Sequence, residues 1–223
     1  MRYGVFDRWT LVALCVLSVG LLGGPARTRA QTLGDITGTV TGTVGTVTGT
    51  ITGILGGTTT VLGGTGTLPA GSLDSLYSEA DSINTALVTA DVPSARVIGY
   101  ADEVASNSYL SSLNLVIAGI TIAASSAEAA ARGPLDGRPS DGTSYVASLS
   151  INGVDVPVDG TVNQTVSIPG GQLVINEQQV LSDGTLVVNA LHAIVTGVAD
   201  VVVGSATAGP SGGNANAVQA TTF

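Results

Sequence analysis

Short β-branched runs separated by turn signals are the feature that most constrains what this chain can fold into. The run YVASLSI alternates, which predicts a strand with four residues on one face: Tyr145, Ala147, Leu149 and Ile151. Asn152-Gly153 separates it from VDVPV, and Asn-Gly between two such runs is a strong hairpin signal because both residues tolerate a positive φ. Pro157 lacks an N–H donor, so the second strand is predicted at a sheet edge or near a bulge.

Further runs of the same kind predict most of the remaining strands. In the C-terminal half we predict strands over 161–168, 172–180, 185–195 and 200–208. The run 185–195 is the longest and most apolar, so we expect a central strand buried on both faces.

The first half gives weaker signals of the same class. We predict strands over 82–90, 95–101 and 113–124, then a strand continuation or one helical turn over 125–132. Residues 132–144 are rich in Gly, Pro and Asp and predict a surface loop. Some eight strands with this punctuation indicate an all-β, antiparallel β-sandwich-like domain, with a β-solenoid as the alternative.

The first thirty residues have the pattern of an export signal. Arg2 and Arg8 precede the uncharged run WTLVALCVLSVGLL, and small residues follow it. Cleavage is expected after Ala30, with Ala26 as the alternative. The run is shorter than the roughly 20 apolar residues of a membrane-spanning helix, although an uncleaved anchor is the competing interpretation. We therefore predict a secreted, extracellular protein with no transmembrane span once the signal is removed.

Removal of residues 1–30 changes the composition of the chain. The only Cys, Met and Trp leave with the signal, and three arginines against fifteen carboxylates give a net charge of −12. This acidity argues against nucleic acids and anionic membranes as partners, since both bind basic surfaces. Without cysteine no disulfide is available, so a packed core must supply the stability.

The charge-free stretch 36–73 belongs to a distinct segment, 31–73, built from Thr, Gly and Val. Its aliphatic residues recur at helical spacing, yet Gly and Thr disfavour an isolated helix, and strict strand alternation is absent. We expect a flexible, low-complexity segment; a self-associating helix or β-like assembly segment is the alternative. We divide the chain into a signal (1–30), this segment (31–73), a globular domain (74–208) and a flexible tail (209–223).

The globular part resembles the bacterial choice-of-anchor P family. The resemblance lies in LVIAGITIAASSAEAAA, in SYVASLSINGVDVPVDGTVNQTVSIPGGQLVINEQ, and in the runs DGTLVVNALHAIV and ADVVVGSATA. It covers about residues 75–208 and implies an exported, often surface-associated protein of unassigned activity, with no catalytic residues to transfer. The tail after Gly209 departs from a sorting signal, so release or non-covalent retention is expected.

Candidate catalytic chemistry centres on the one histidine. His192 is expected to be a half-buried strand histidine that bonds a neighbour or faces solvent. A Ser-His-Asp site with Ser205 and Asp200 is the alternative, but no nucleophile-elbow motif supports it. Zinc is not expected, because a histidine-based site needs more ligands than one histidine and no cysteine.

Two kinds of binding site remain open. Asp-Gly-Thr occurs three times, which makes Asp141, Asp159 and Asp183 candidate calcium ligands, although ordinary turn formation is sufficient to explain the motif. A sugar-stacking surface would have to use four tyrosines: Tyr77, Tyr100, Tyr109 and Tyr145.

The leading hypothesis is a non-enzymatic extracellular structural or surface-associated protein without a cofactor. The expected partners are a second copy of the chain or components of the cell envelope. The alternatives are an adhesin or glycan-binding module that uses tyrosines and loop carboxylates, and, third, a hydrolase based on His192.

Overall fold

The computed structural model describes residues 47–52 and 58–223, and this part of the chain is all-β. The predicted signal, residues 1–30, lies outside the described residues. Sixteen strands are found in the described part, where the sequence predicted about eight: β1 (Val47–Thr52), β2 (Thr58–Gly64), β3 (Leu68–Pro69), β4 (Ser75–Glu79), β5 (Ser82–Asn84), β6 (Val88–Gly99), β7 (Glu103–Ile117), β8 (Ile120–Pro134), β9 (Asp141–Ala147), β10 (Ser150–Ile151), β11 (Val154–Asp155), β12 (Gln164–Ile168), β13 (Gly171–Val180), β14 (Leu186–Val195), β15 (Ala199–Gly209) and β16 (Gly212–Thr222).

The strands form two antiparallel sheets. Sheet 1 has the order β1-β2-β16-β15-β14-β13-β12, with β3 also paired to β16. Sheet 2 has the order β11-β10-β8-β7-β6-β4, with β5 paired to β6 and β9 paired to β8. Two packed antiparallel sheets confirm the β-sandwich-like prediction over the solenoid alternative. No helix in the described residues has the length and apolar character to cross a membrane.

The core lies between the central strands, where β14, β15 and β16 pack on β6, β7 and β8. Its largest fully buried side chains include Leu110, Leu113, Leu115 and Leu191. Many other positions are Ala or Gly, which lets the sheets approach closely. A Cβ atom at Gly133 of sheet 2 would lie only 2.2 Å from the backbone nitrogen of Gly209 in sheet 1.

The inside-outside alternation is interrupted once in several long strands. In β7 the buried residues are even-numbered up to Leu110 and odd-numbered from Leu113 onward. Ser112, between them, has a φ of +50°. A residue in the left-handed region breaks the pleat, so the alternation restarts on the other face. Asn176 (φ +51°) and Gly204 (φ +63°) stand at the equivalent place in sheet 1, on either side of Ala190.

Such an interruption overturns the predicted face of residues 145–151. Ser148 has a φ of +51°, and the buried residues on either side of it are Val146 and Leu149. Tyr145 is 63 % exposed, so it does not share a buried face with Leu149. Period-2 counting fails here because it assumes an unbroken pleat.

The predicted low-complexity segment contributes strands to sheet 1. β1, β2 and β3 fall within residues 31–73, so the expectation of weak order is wrong for 47–52 and 58–69, and so is the helical alternative for 47–52. Residues 31–46 and 53–57 lie outside the described part. Threonine and valine suit an extended backbone, and pairing with β16 supplies the hydrogen bonds that an isolated strand would lack.

The predicted flexible tail over 209–223 is also wrong. Residues Gly212–Thr222 form β16, which lies between β2 and β15 in sheet 1. Ala215, Ala217 and Val218 are fully buried there. Small side chains fit the narrow space between the sheets, whereas composition alone made this stretch look like solvated chain. The β-domain therefore extends beyond 74–208 on both sides.

Several local predictions are confirmed. Asn152 and Gly153, with φ values of +51° and +77°, make the two-residue turn between β10 and β11. The strand before Pro157, β11, is an edge strand of sheet 2. The predicted strand over 172–180 is β13, and that over 185–195 is the central β14. Both faces of β14 are buried only around 188–191, because His192 and Ile194 are half-buried.

The first half needed more correction. The predicted strand 113–124 is a hairpin, because Ala118 and Gly119 (φ +50° and +81°) make the turn between β7 and β8. The run 125–132 continues β8 as a strand. The predicted loop 132–144 is shorter, since β8 ends at Pro134 and β9 begins at Asp141.

Candidate functional site

The outer face of sheet 2, which points away from the core, collects most of the exposed aromatic and cationic side chains. The inward-facing, buried residues of β6 and β7 include Val97, Val104 and Ser106. The residues that alternate with them along each strand therefore point outward. Antiparallel register then fixes which outward side chains stand side by side.

Two neighbouring rows of side chains cross this face. In the first, Tyr77 of β4 pairs with Arg96, and Arg96 pairs with Asn107. In the second, Tyr109 of β7 pairs with Glu128, and Glu128 pairs with Tyr145 of β9. The Asn107 side chain donates a 2.8 Å hydrogen bond from Nδ2 to Glu128 Oε1 and so joins the rows.

A shallow depression of about 320 Å³ lies on the same face. Arg96 and Arg132 flank it, and Ala105 and Ala130 are the small residues between them. Ala105 pairs with Arg132, and Ala130 is two residues before Arg132 in β8. Because alanine side chains are short, the floor stays low while the flanking arginines remain exposed to solvent.

The charges around the depression are distributed unevenly. In the part of the chain that the structure describes, neither Arg96 nor Arg132 forms an ion pair, although Asp141 stands opposite Arg132 in the register. Arg138, by contrast, binds Asp136 through Nε at 2.7 Å. That pair lowers the pKa of Asp136 and raises the pKa of Arg138.

Two of the tyrosines of this face present their rings to solvent. Tyr77 is 55 % exposed and Tyr145 is 63 % exposed. The Tyr77 hydroxyl donates to Glu79 on the same strand, and this bond, more than burial, raises the pKa of the phenol. Three of the four predicted tyrosines thus share one face, whereas Tyr100 lies in the turn between β6 and β7.

A second polar group, the histidine cluster, lies on the outer face of sheet 1. His192 contacts Glu177 Oε2 through Nδ1 at 2.8 Å and Asp200 Oδ1 through Nε2 at 2.8 Å. Asn189 Nδ2 donates to the same Glu177 oxygen at 2.6 Å. These four residues, Glu177, Asn189, His192 and Asp200, come from the adjacent strands β13, β14 and β15.

The interrupted pleat assembles the histidine cluster. Glu177 pairs with Asn189, and Val174 pairs with His192. Strict alternation would place Asn189 and His192, three residues apart, on opposite faces of β14. The irregularity at Asn176 and Ala190 brings Glu177 and Asn189 to the side of His192.

The two carboxylates keep the imidazole charged. Partial burial lowers the pKa of His192, but hydrogen bonds to Asp200 and Glu177, with their negative charges, outweigh burial and raise it to about 9. The hydrogen bond from His192 in turn lowers the pKa of Glu177, although burial opposes it. At neutral pH both ring nitrogens donate, so the ring has no free lone pair with which to act as a general base.

The structure brings together only part of the predicted Ser-His-Asp arrangement. Asp200 contacts His192, which also confirms the expectation of a half-buried strand histidine that bonds a neighbour. Ser205 pairs instead with Asn189, while His192 pairs with Val202. The nucleophile and base of a triad are therefore not adjacent.

Two of the three aspartates of the Asp-Gly-Thr motifs stabilise turns, and the third begins a strand. Asp159 accepts hydrogen bonds from the Thr161 hydroxyl and N–H, which lower its pKa. Asp183 accepts from Ser211 and Thr185, and these bonds lower its pKa. Asp141 begins β9. In the part of the chain that the structure describes, no three His, Cys, Asp or Glu residues gather as a metal site; calcium binding by these aspartates stays a prediction.

Sequence reasoning missed several residues of both groups. Arg96, Asn107, Glu128 and Arg132 carry no motif, and only strand register places them on the same face as the tyrosines. Their outward positions could be predicted from the alternation within each strand, but the pairing of the strands could not be predicted from the sequence. Glu177 was missed because an unbroken pleat would have placed it away from His192.

None of the protein-family models, curated proteins or solved structures compared with this chain matches it. The resemblance to the choice-of-anchor P family therefore stays a prediction.

Proposed function

We propose that this protein is a non-enzymatic, extracellular binding protein that holds a polysaccharide on the outer face of sheet 2. The observation that carries the proposal is the pair of side-chain rows in which exposed Tyr77 and Tyr145 flank Arg96, Asn107 and Glu128. This choice takes the glycan-binding alternative of the sequence analysis and joins it to the surface-associated hypothesis.

The chemistry of this face suits sugars. A tyrosine ring is a rigid amphipathic surface that covers apolar area at low entropic cost. The Asn107 amide and the Glu128 carboxylate supply a donor and acceptors for hydroxyl groups. The outward side chains of neighbouring strands form a continuous surface, which can bind several units of an extended chain.

The histidine cluster supports the non-enzymatic part of the proposal. His192 is the only histidine in the chain, and both of its nitrogens are already bound to carboxylates. A charged imidazole that donates hydrogen bonds through both ring nitrogens stabilises the sheet and is poorly suited to proton abstraction. The export pattern of residues 1–30 and the acidic, cysteine-free remainder support an extracellular location.

The test is binding by tyrosine variants. We expect Tyr77→Ala and Tyr145→Ala each to weaken retention on polysaccharide-containing native gels by about threefold to tenfold, because each removes stacking area. The ligands are a panel of soluble neutral and acidic polysaccharides and isolated cell-wall material.

Tyr100→Ala is the matched control, since Tyr100 is an exposed tyrosine outside the two rows. It should bind like the unmodified protein. If the unmodified protein binds nothing in the panel, or if Tyr100→Ala weakens binding as much as Tyr77→Ala, the proposal is wrong.

A further inference from the structure

The depression on the outer face of sheet 2 has an unusual charge for this molecule. After residues 1–30 the chain has fifteen carboxylates and only three arginines. Two of these, Arg96 and Arg132, flank this one depression, and the third is already bound to Asp136. Because arginines are scarce in this chain and two of them share one surface site, we expect the ligand of that site to carry negative charge.

The strand geometry lets both arginines reach one ligand. Arg96 and Arg132 lie on β6 and β8, with β7 between them, and their register differs by two residues. Strand spacing and rise place their Cα atoms about 12 Å apart. Two extended arginine side chains can span such a gap, and Ala105 and Ala130 leave room above the sheet between them.

We propose that the depression binds an acidic sugar residue, with its anionic group between Arg96 and Arg132. This inference rests on the proposed polysaccharide function and names its ligand class. A guanidinium forms paired, charge-assisted hydrogen bonds with a carboxylate or a sulfate. Among the residues that the structure describes, neither arginine forms an ion pair that would compete with such a ligand. Tyr77, beside Arg96, and Tyr145, beside Glu128, then contact neighbouring sugar rings along the rows.

Charge complementarity favours a polysaccharide over other polyanions. Glu79, Glu103, Glu128 and Asp141 surround the two arginines on the same face or at its edge. A ligand with closely spaced charge, such as a nucleic acid, would be repelled by these carboxylates. A sugar chain can place one anion at the depression and neutral hydroxyls elsewhere.

The test compares ligands that differ only in charge. The full chain, expressed with its own N-terminal segment, is titrated with sparsely charged polygalacturonate, in which isolated residues are acidic and the rest are methyl-esterified, and with fully methyl-esterified polygalacturonate. We expect about tenfold tighter binding to the acid form at low ionic strength, and we expect added salt to weaken this preference.

Matched variants assign the effect to the depression. Arg96→Gln and Arg132→Gln should each weaken binding to polygalacturonate by about tenfold and leave binding to the methyl ester nearly unchanged. Arg138→Gln removes the same charge from a site paired with Asp136, so its affinity should equal that of the unmodified protein. Circular dichroism of each variant verifies that the fold is retained.

The outcomes separate this inference from the proposed function. Equal binding of the acid and the ester overturns the acidic ligand and leaves a neutral polysaccharide function in place. Binding of neither, with no other polysaccharide bound, overturns both. Single-stranded DNA bound as tightly as polygalacturonate shows a general polyanion surface and overturns the inference. Dextran with isolated sulfate groups, compared with plain dextran, distinguishes a sulfate from a carboxylate, and a preference for either acidic form over its neutral counterpart supports the acidic sugar.

Discussion

His192 shows how one residue couples charge to the stability of sheet 1. Its imidazole bridges β13 and β15 through two carboxylates, and only the charged ring can donate to both. The pKa of about 9 in the folded protein exceeds the ordinary value of 6.5. The contribution to stability is therefore complete below about pH 6.5 and is lost as the pH rises through 9.

We expect the free energy of unfolding to fall by about 1–2 kcal/mol between pH 6.5 and pH 10, since the partly exposed Asp200 partner is screened by solvent. Urea unfolding at a series of pH values measures this change. His192→Gln keeps two polar ends without a titrating charge, so its stability should vary much less across this range. An equal pH dependence in the variant would show that other groups are responsible.

At the scale of the element, close approach of the two sheets depends on glycine at the facing positions. Gly133 of β8 meets the backbone of Gly209 in β15, and its backbone conformation is one that any residue can adopt. Backbone atoms on both sides cannot move aside as a flexible side chain would. Size alone therefore restricts this position.

Gly133→Ala should destabilise the protein by about 2–3 kcal/mol, because the sheets must separate locally to admit a methyl group. Gly119→Ala is the comparison: nothing lies within 4 Å of its Cβ position, and its φ of +81° isolates the backbone strain of a turn. That variant should lose about 1–2 kcal/mol. Thermal and urea unfolding measure both, and a loss at Gly133 no larger than at Gly119 would contradict the packing argument.

The interrupted pleats act at the same scale. Ser112, Asn176 and Ser148 each take a positive φ within or beside a long strand, and each moves later side chains to the opposite face. The histidine cluster depends on one of these breaks, at Asn176. Each of the interrupted strands therefore consists of two short amphipathic stretches of opposite parity.

At the scale of the whole molecule, the sandwich is completed by strands from both ends of the described chain. β16 connects β2 to β15, so β1 and β2 join sheet 1 only through it. Sheet 1 packs against the inner side of sheet 2, whose outer side is the proposed binding face. The small residues of β16, whose composition is typical of a flexible tail, thus join the strands of the sheet that packs behind the site.

A chain that ends at Gly209 should fail to fold, because it loses a central strand and its buried residues Ala215, Ala217 and Val218. A chain that ends at Thr221 loses only the exposed Thr222 and Phe223 and should remain folded. Circular dichroism and protease resistance distinguish the two. A folded, protease-resistant chain ending at Gly209 would contradict the central role of β16.

The amino-acid sequence by itself determined the fold class, because β-branched runs, Asn-Gly turns and Pro-Gly stops act locally on the backbone. Residues 152–153, β13 and β14 follow directly from such signals, and the sequence also singled out the tyrosines and His192. Tertiary structure alone decided the rest. The pairing of the strands placed Arg96 and Arg132 on one face with Tyr77. The break in the pleat at Asn176 brought Glu177 to His192. Strand pairing depends on contacts between residues far apart in the sequence. The narrow space between the sheets buries the small residues of β16, which their hydropathy does not predict.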